Sequence, residues 1–215
     1  MSLNMRILGI NGSPVKGGNV DLLIREIIKG VKGPGARGKS KFRIKKEKIK
    51  SEIIYLDSLK IMPCKSCGLL PQKGLCVYHD DMDEIYPKLF SYDLFVLGSP
   101  VYFDTVSALM KLFIDRCNCL RPMMRKENGE YYFDDSRIRK SNPKRKGVII
   151  LVGGKKQRFD CASTVLKGFL QWAGIEFVDQ IHYAHDDFEK GGVKKDKEFL
   201  KKVFVLGERL REKSS

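Results

Sequence analysis

Apolar residues along this chain fall into two alternating rhythms. Short β-rich runs at Met5–Asn11, Ser51–Leu56, Tyr92–Gly98, Gly147–Val152 and Ile175–Tyr183 read as strands. Between them, apolar positions recur three and four residues apart. In Asn19–Val31 these are Leu22, Leu23, Ile27, Ile28 and Val31, which predicts a helix. Asp80–Phe90 opens on acidic residues, as first helical turns do. Thr105–Cys119 carries Val106, Leu109, Leu112 and Phe113 at helical offsets. Phe159–Ala173 reads as a helix stopped by Gly174, and Lys194–Lys213 as the last helix.

This alternation predicts an α/β fold: a doubly wound parallel sheet of five strands with helices on both faces. The expected strand order is the flavodoxin-like 2-1-3-4-5, with its switch point between strands 1 and 3. A chain of 215 residues with 42% hydrophobic content can bury a full core and is expected to form a single domain over residues 1–215. Residues 32–50 and 120–146 exceed what the alternation needs and read as insertions.

Two apolar strands end in the same tripeptide. Gly12-Ser13-Pro14 follows the first, and Gly98-Ser99-Pro100 follows the third. Ligands of a parallel sheet bind at the carboxyl ends of its strands, so these two loops predict one shared site. In Ser13-Pro14-Val15-Lys16-Gly17-Gly18-Asn19-Val20, small residues and a helix start favour an anion, with Ser13 and Asn19 as donors and Lys16 as charge. A tight turn capped by Asn19 is the plainer alternative. In Ser99-Pro100-Val101-Tyr102-Phe103-Asp104, two aromatics could stack on a planar ring or could equally pack in the core. Gly153-Gly154, ending the fourth strand, allows close backbone approach.

Charge is concentrated in two places. Residues 32–50 hold nine Lys/Arg against one Glu, and residues 137–146 hold six Lys/Arg and no acid. These stretches carry nearly all of the net +15. The remainder is balanced, which argues against a fold built to bind nucleic acid and for solvated basic loops on an enzyme-like body. No run of about 18 apolar residues occurs, so no membrane span is expected. No secretory signal is visible, and six cysteines then predict reduced thiols or metal ligands rather than disulfides, and a cytoplasmic location.

Taken together, the loops resemble the NADPH-dependent FMN reductase family, specifically its iron–sulfur flavoprotein branch. The resemblance rests on Gly12-Ser13-Pro14-x-x-Gly17-Gly18-Asn19, Gly98-Ser99-Pro100-Val101-Tyr102, Lys111-x-Phe113-Ile114-Asp115-Arg116, Val152-Gly153-Gly154 and a cysteine segment. It implies bound FMN and a nicotinamide, NADH or NADPH, as cosubstrate. The first loop (Ser13, Pro14, Lys16, Gly17, Gly18, Asn19, Val20) would hold the FMN phosphate. Ser99, Pro100, Val101, Tyr102, Phe103, Gly153 and Gly154 would line its ring. The implied activity is an oxidoreductase that passes electrons to an acceptor, as a dimer or tetramer, with no side chain nominated as acid or base. The alternatives are an electron carrier fed by ferredoxin and, from another class, a protein that binds an anionic partner through its basic insertions.

The cysteine segment is Pro63-Cys64-x-x-Cys67 followed by Gly74-x-Cys76 and Asp80-Asp81-Met82. The branch that holds a 4Fe–4S cluster has the pattern Cys-x2-Cys-x2-Cys-x5-Cys. Cys64, Cys67 and Cys76 fill three of these places, and Leu70 stands at the third. Four thiolates are the usual complement. An intact cluster, a vestigial site with free thiols and a zinc site are therefore three open readings, and the missing thiolate favours the vestigial one. Cys117 and Cys119 are expected to be buried thiols, remote by helix phase. His79 is expected near a helix start; His182 and His185 flank the last strand without a partner that sequence can name.

Gly33-Pro34-Gly35-Ala36-Arg37-Gly38-Lys39-Ser40 matches the phosphate-loop pattern G-x-x-x-x-G-K-[ST]. A working loop of this type joins a strand to a helix, whereas here a helix precedes it and a strand soon follows, so it is read as basic loop.

Overall fold

Five parallel strands form the sheet in the computed structural model, which describes residues 5–33, 49–66, 76–120, 123–125, 128, 131–133, 145–186 and 189–212. In chain order the strands and helices are β1 (Arg6–Asn11), α1 (Asn19–Lys32), β2 (Lys50–Tyr55), α2 (Met82–Ser91), β3 (Leu94–Tyr102), β4 (Thr105–Val106), α3 (Ala108–Arg116), β5 (Met123–Arg125), β6 (Tyr131–Phe133), β7 (Lys146–Gly153), α4 (Asp160–Trp172), β8 (Glu176–Ala184) and α5 (Lys197–Glu212). The main sheet runs β2-β1-β3-β7-β8. For the five parallel strands this is the expected 2-1-3-4-5 order. A sixth strand, β4, pairs antiparallel with β3.

Alternate side chains of the central strands face opposite layers, as a pleated strand requires. Ile7, Val96, Val148 and Ile150 pack with Leu23, Ile24 and Ile27 of α1 and Val203, Leu206 and Leu210 of α5. Leu8, Phe95, Leu97, Ile149 and Leu151 face Ile85 and Leu89 of α2, Met110 and Phe113 of α3, and Leu166 and Leu170 of α4. Both faces of the sheet are thus covered, which is why its strands read as continuous apolar runs. On the first face, α1 and α5 touch backbone to backbone. A Cβ on Gly30 would stand 2.1 Å from the Phe204 carbonyl oxygen, and one on Gly207 2.4 Å from that of Ile27.

Two expectations change at β3. The strand continues through the Gly-Ser-Pro tripeptide to Tyr102, and the helix expected over Thr105–Cys119 begins only at Ala108. The cause is a tight hairpin. Val101 pairs with Val106 and Tyr102 with Thr105, leaving Phe103 and Asp104 as a two-residue loop. Both have positive φ, 49° and 61°, as the favoured two-residue hairpin turns demand. Glycine or asparagine usually supplies such angles, so the Phe-Asp pair carries no sequence signal for the turn. α3 ends at Arg116 and passes into a 3-10 turn over Cys117–Leu120.

Arg145 corrects the picture of residues 137–146 as a wholly solvated run, because its side chain is buried. It donates to the carbonyls of Leu89 and Ala173, both at 2.6 Å. These lie at the C-terminal ends of α2 and α4, where partial negative charge accumulates. Burial lowers the guanidinium pKa, and the two helix ends stand in for a carboxylate. Residues 34–48, including most of the phosphate-loop-like stretch and of the first insertion, lie outside the described residues, as do residues 137–144 of the second.

Candidate functional site

The loops after β1, β3 and β7 meet at the carboxyl edge of the sheet. The Gly12 N–H donates to the Gly98 carbonyl at 2.7 Å, joining the two Gly-Ser-Pro tripeptides directly. Ser107, at the N-cap of α3, braces the same junction: its Oγ donates to the Gly12 carbonyl at 2.6 Å and accepts from the Met110 N–H. The Ser107 N–H donates in turn to Ser99 Oγ at 3.0 Å. The third loop is tied to the second at one point and braced internally at another. The Arg158 N–H donates to Asp104 Oδ1 at 2.9 Å, and the Gly154 N–H to Gln157 Oε1 at 2.6 Å. Sequence reasoning missed Ser107, Gln157 and Asp104; only the serine carries a signal, as a helix cap.

Most N–H groups of the first loop are satisfied within it. Ser13 N–H donates to Asn11 Oδ1, Val15 N–H to Ser13 Oγ, and Gly18 N–H to the Val15 carbonyl. Gly17, at a φ of 76°, gives its N–H to Asp21 Oδ2. The donors left for an anion are those of the first turn of α1, which have no carbonyl one turn earlier to bond. Its N-cap is Gly18, which has no side-chain oxygen to occupy them. Asn19 is the first helical residue and does not cap. Its Oδ1 accepts from the Val193 N–H at 3.0 Å, so its Nδ2 faces outward as donor to His185 Nε2, also at 3.0 Å. Lys16 lies over the Tyr55 ring, 5.1 Å from its centroid. Asp21 is buried and also accepts from Arg25 and from the Tyr55 hydroxyl.

The second loop is open where the first is closed. Phe103 is 98% exposed and Tyr102 47%, which removes the core-packing alternative for both. With Asp104 and Gln157 they line a cavity of ≈ 480 Å³. Ser99 and Val101 are buried, and Gly153 takes its place beside Val101. Joined at the Gly12–Gly98 bond, a loop with open first-turn donors and a strand end with exposed aromatics suit a molecule with a phosphate at one end and a flat ring at the other.

The family model for NADPH-dependent FMN reductases matches residues 5–190. The chain belongs to the NADPH-dependent FMN reductase family. Among its relatives, an iron–sulfur flavoprotein of Methanocaldococcus jannaschii is 38% identical over 117 residues, 54% of each chain. One from Methanosarcina thermophila is 32% identical over 117 residues, again 54% of each chain. The chain thus spans about half the length of these relatives. An iron–sulfur flavoprotein of Archaeoglobus fulgidus matches over 89% of this chain and 88% of its own, at 26% identity. An FMN-dependent NADH-azoreductase from Bacillus anthracis shares the fold with a TM-score of 0.64, at 15% identity and with 96% of this chain and 99% of that one covered. A flavone reductase aligns with a TM-score of 0.65 at 18% identity, over 98% of this chain and 63% of its own.

Of the three cysteines at family cluster places, Cys67 lies outside the described residues, as does Leu70. Cys64 is exposed and Cys76 half-buried. Among the described residues, no group of three or more His, Cys, Asp or Glu side chains could hold a metal ion. Cys64 and Cys76 alone do not make up the four thiolates of a cluster, and no chemical step is assigned to one. Arg116, fully buried, organises this region. It pairs with Asp80, donates to the Met62 carbonyl at 2.9 Å and reaches Cys76 Sγ at 3.6 Å. Its own carbonyl accepts from Tyr86 and from Cys119 Sγ. One residue thus touches both Cys76 and Cys119, which helix phase alone had set apart. Burial pushes the Cys117 thiol well up and that of Cys119 up to about 11, so both are protonated at neutral pH. His79 is exposed and pairs with Asp83 of α2 at 3.0 Å. His182 stacks on Phe159 with ring centroids 4.8 Å apart, and burial lowers its pKa.

Proposed function

We propose that the chain is an FMN-binding oxidoreductase that takes reducing equivalents from NAD(P)H and delivers them to an electron acceptor. The observation that supports this reading is the bonded junction of Gly12, Gly98 and Ser107, which joins the loop leading into α1 to the strand that carries the exposed aromatic pair. FMN, when bound, supplies a flavin that accepts hydride from a nicotinamide and returns electrons.

The chain's own residues then bind and orient. The first turn of α1 presents the N–H groups of Asn19 and Val20 to the phosphate, with Ser13, Pro14, Gly17 and Gly18 shaping the approach and Lys16 supplying charge. Tyr102 and Phe103 face the ring. Ser99, Pro100, Val101, Gly153 and Gly154 form the backbone wall along one edge, where small residues permit close contact. Neither a side-chain acid nor a base is assigned. The same reading makes the protein a cytoplasmic homo-oligomer. No helix among the described residues is long and apolar enough to cross a membrane.

The test is direct. Purified protein should show flavin absorption bands that bleach on anaerobic addition of NADPH or NADH and return with an added acceptor. A colourless protein that cannot be loaded with FMN would overturn the reading.

A further inference from the structure

Beyond the loops that sequence marks, a fourth segment reaches the phosphate end of the site. A 3-10 turn over Gly192–Lys195 follows β8 and is tied to the start of α1 by the Val193 N–H on Asn19 Oδ1. Just before it, Gly191 has a φ of 74°, and a Cβ there would stand 3.0 Å from the Gly17 carbonyl oxygen. This close approach lays Lys190 across the first loop. Its Cε stands 3.5 Å from where a Cβ on Gly17 would be. The lysine stem thus lies within ordinary contact distance of the Gly17 position.

The charges around the loop explain why a second cation matters there. A phosphate monoester carries close to two negative charges at neutral pH. Asp21 adds a buried carboxylate in the first turn of α1 and takes the Gly17 N–H for itself. Lys16 is turned onto the Tyr55 ring. Glu189, next to Lys190, is paired with Lys195, and among the described residues no carboxylate pairs with Lys190. We infer that Lys190 is a phosphate-binding residue: it closes over the first loop from the turn after β8 and pairs with the terminal phosphate of bound FMN.

This inference rests on the proposed FMN site, and its test separates the two. The dissociation constants of FMN and riboflavin are measured for the parent protein, Lys190→Ala and Lys190→Arg. Binding of FMN by the parent tests the site itself. Lys190→Ala should weaken FMN by about ten-fold while leaving riboflavin unchanged, since only FMN carries the phosphate. Lys190→Arg should keep most of the preference, and added salt should shrink the difference between parent and Lys190→Ala. Equal loss of both flavins would assign Lys190 a merely structural role, and an unchanged FMN-to-riboflavin ratio would assign it none; either overturns the inference. A parent protein that binds neither flavin overturns the site and the inference together.

Discussion

The Gly12 N–H bonds the Gly98 carbonyl at 2.7 Å, so two copies of one tripeptide, far apart in sequence, become a single junction. Ser107 locks it by donating to the Gly12 carbonyl and capping α3 with the same oxygen. Ser107→Ala leaves that carbonyl without its donor and removes a helix cap. The expected cost is about 2 kcal/mol, from a lost cap and a lost buried hydrogen bond. Denaturant unfolding reads the stability, and flavin titration should show weaker FMN binding as the loops loosen. Unchanged values in both would dissociate the brace from the site.

Asp80 and Arg116 form an ion pair with almost no solvent access, the arginine side chain being 0% exposed and the aspartate 8%. Removing one partner of such a pair leaves a buried charge uncompensated, so Asp80→Asn should cost about 3 kcal/mol. Burial alone would raise the Asp80 pKa, but hydrogen bonds from Arg116 and from the Met62 and Met82 N–H groups outweigh it, and the net shift is downward. A carboxylate held below its unfolded value stabilises the native state above that value. The contribution fades as pH drops below 3.8 and through the lowered native pKa. Unfolding measured against pH should therefore show an acid limb in the parent that is smaller in Asp80→Asn.

The backbone contact between α1 and α5 gives a paired test. A methyl at Gly30 must displace the α5 backbone, so Gly30→Ala should destabilise by about 2 kcal/mol. Gly168, within α4, has nothing within 4 Å of a Cβ. Gly168→Ala should instead stabilise by about 0.5–1 kcal/mol through helix propensity alone. Thermal unfolding of the two variants should move in opposite directions.

The cysteine segment makes a prediction from composition. Leu70 stands where the family pattern has a thiolate, and three thiolates leave one iron of a cluster without a protein ligand. Leu70→Cys, reconstituted without oxygen, should retain more iron and sulfide per chain than the parent prepared in parallel. A parent that holds about four irons per chain in air would show that another side chain completes the set.

The sequence by itself determined the sheet. Apolar runs with β-rich composition and helices of regular spacing are local patterns; right-handed crossovers prune their arrangements, and the flavodoxin-like order is the candidate among those left. It also marked both Gly-Ser-Pro loops, because a strand end followed by small residues and a helix start is local too. What only the tertiary structure decided is where side chains turn for partners. Asn19 reads as an anion donor or a helix cap, yet its side chain bonds His185, 166 positions away, because Gly18 takes the cap and β8 ends beside α1. Phe103 reads as either core or ring platform; the hairpin at Phe103-Asp104 turns it outward. Arg145 belongs to a basic run but is drawn inside, since two helix ends converge there and offer carbonyls in place of an acid. Periodicity reports the face on which a residue lies. It carries no information about which distant element will close over that face.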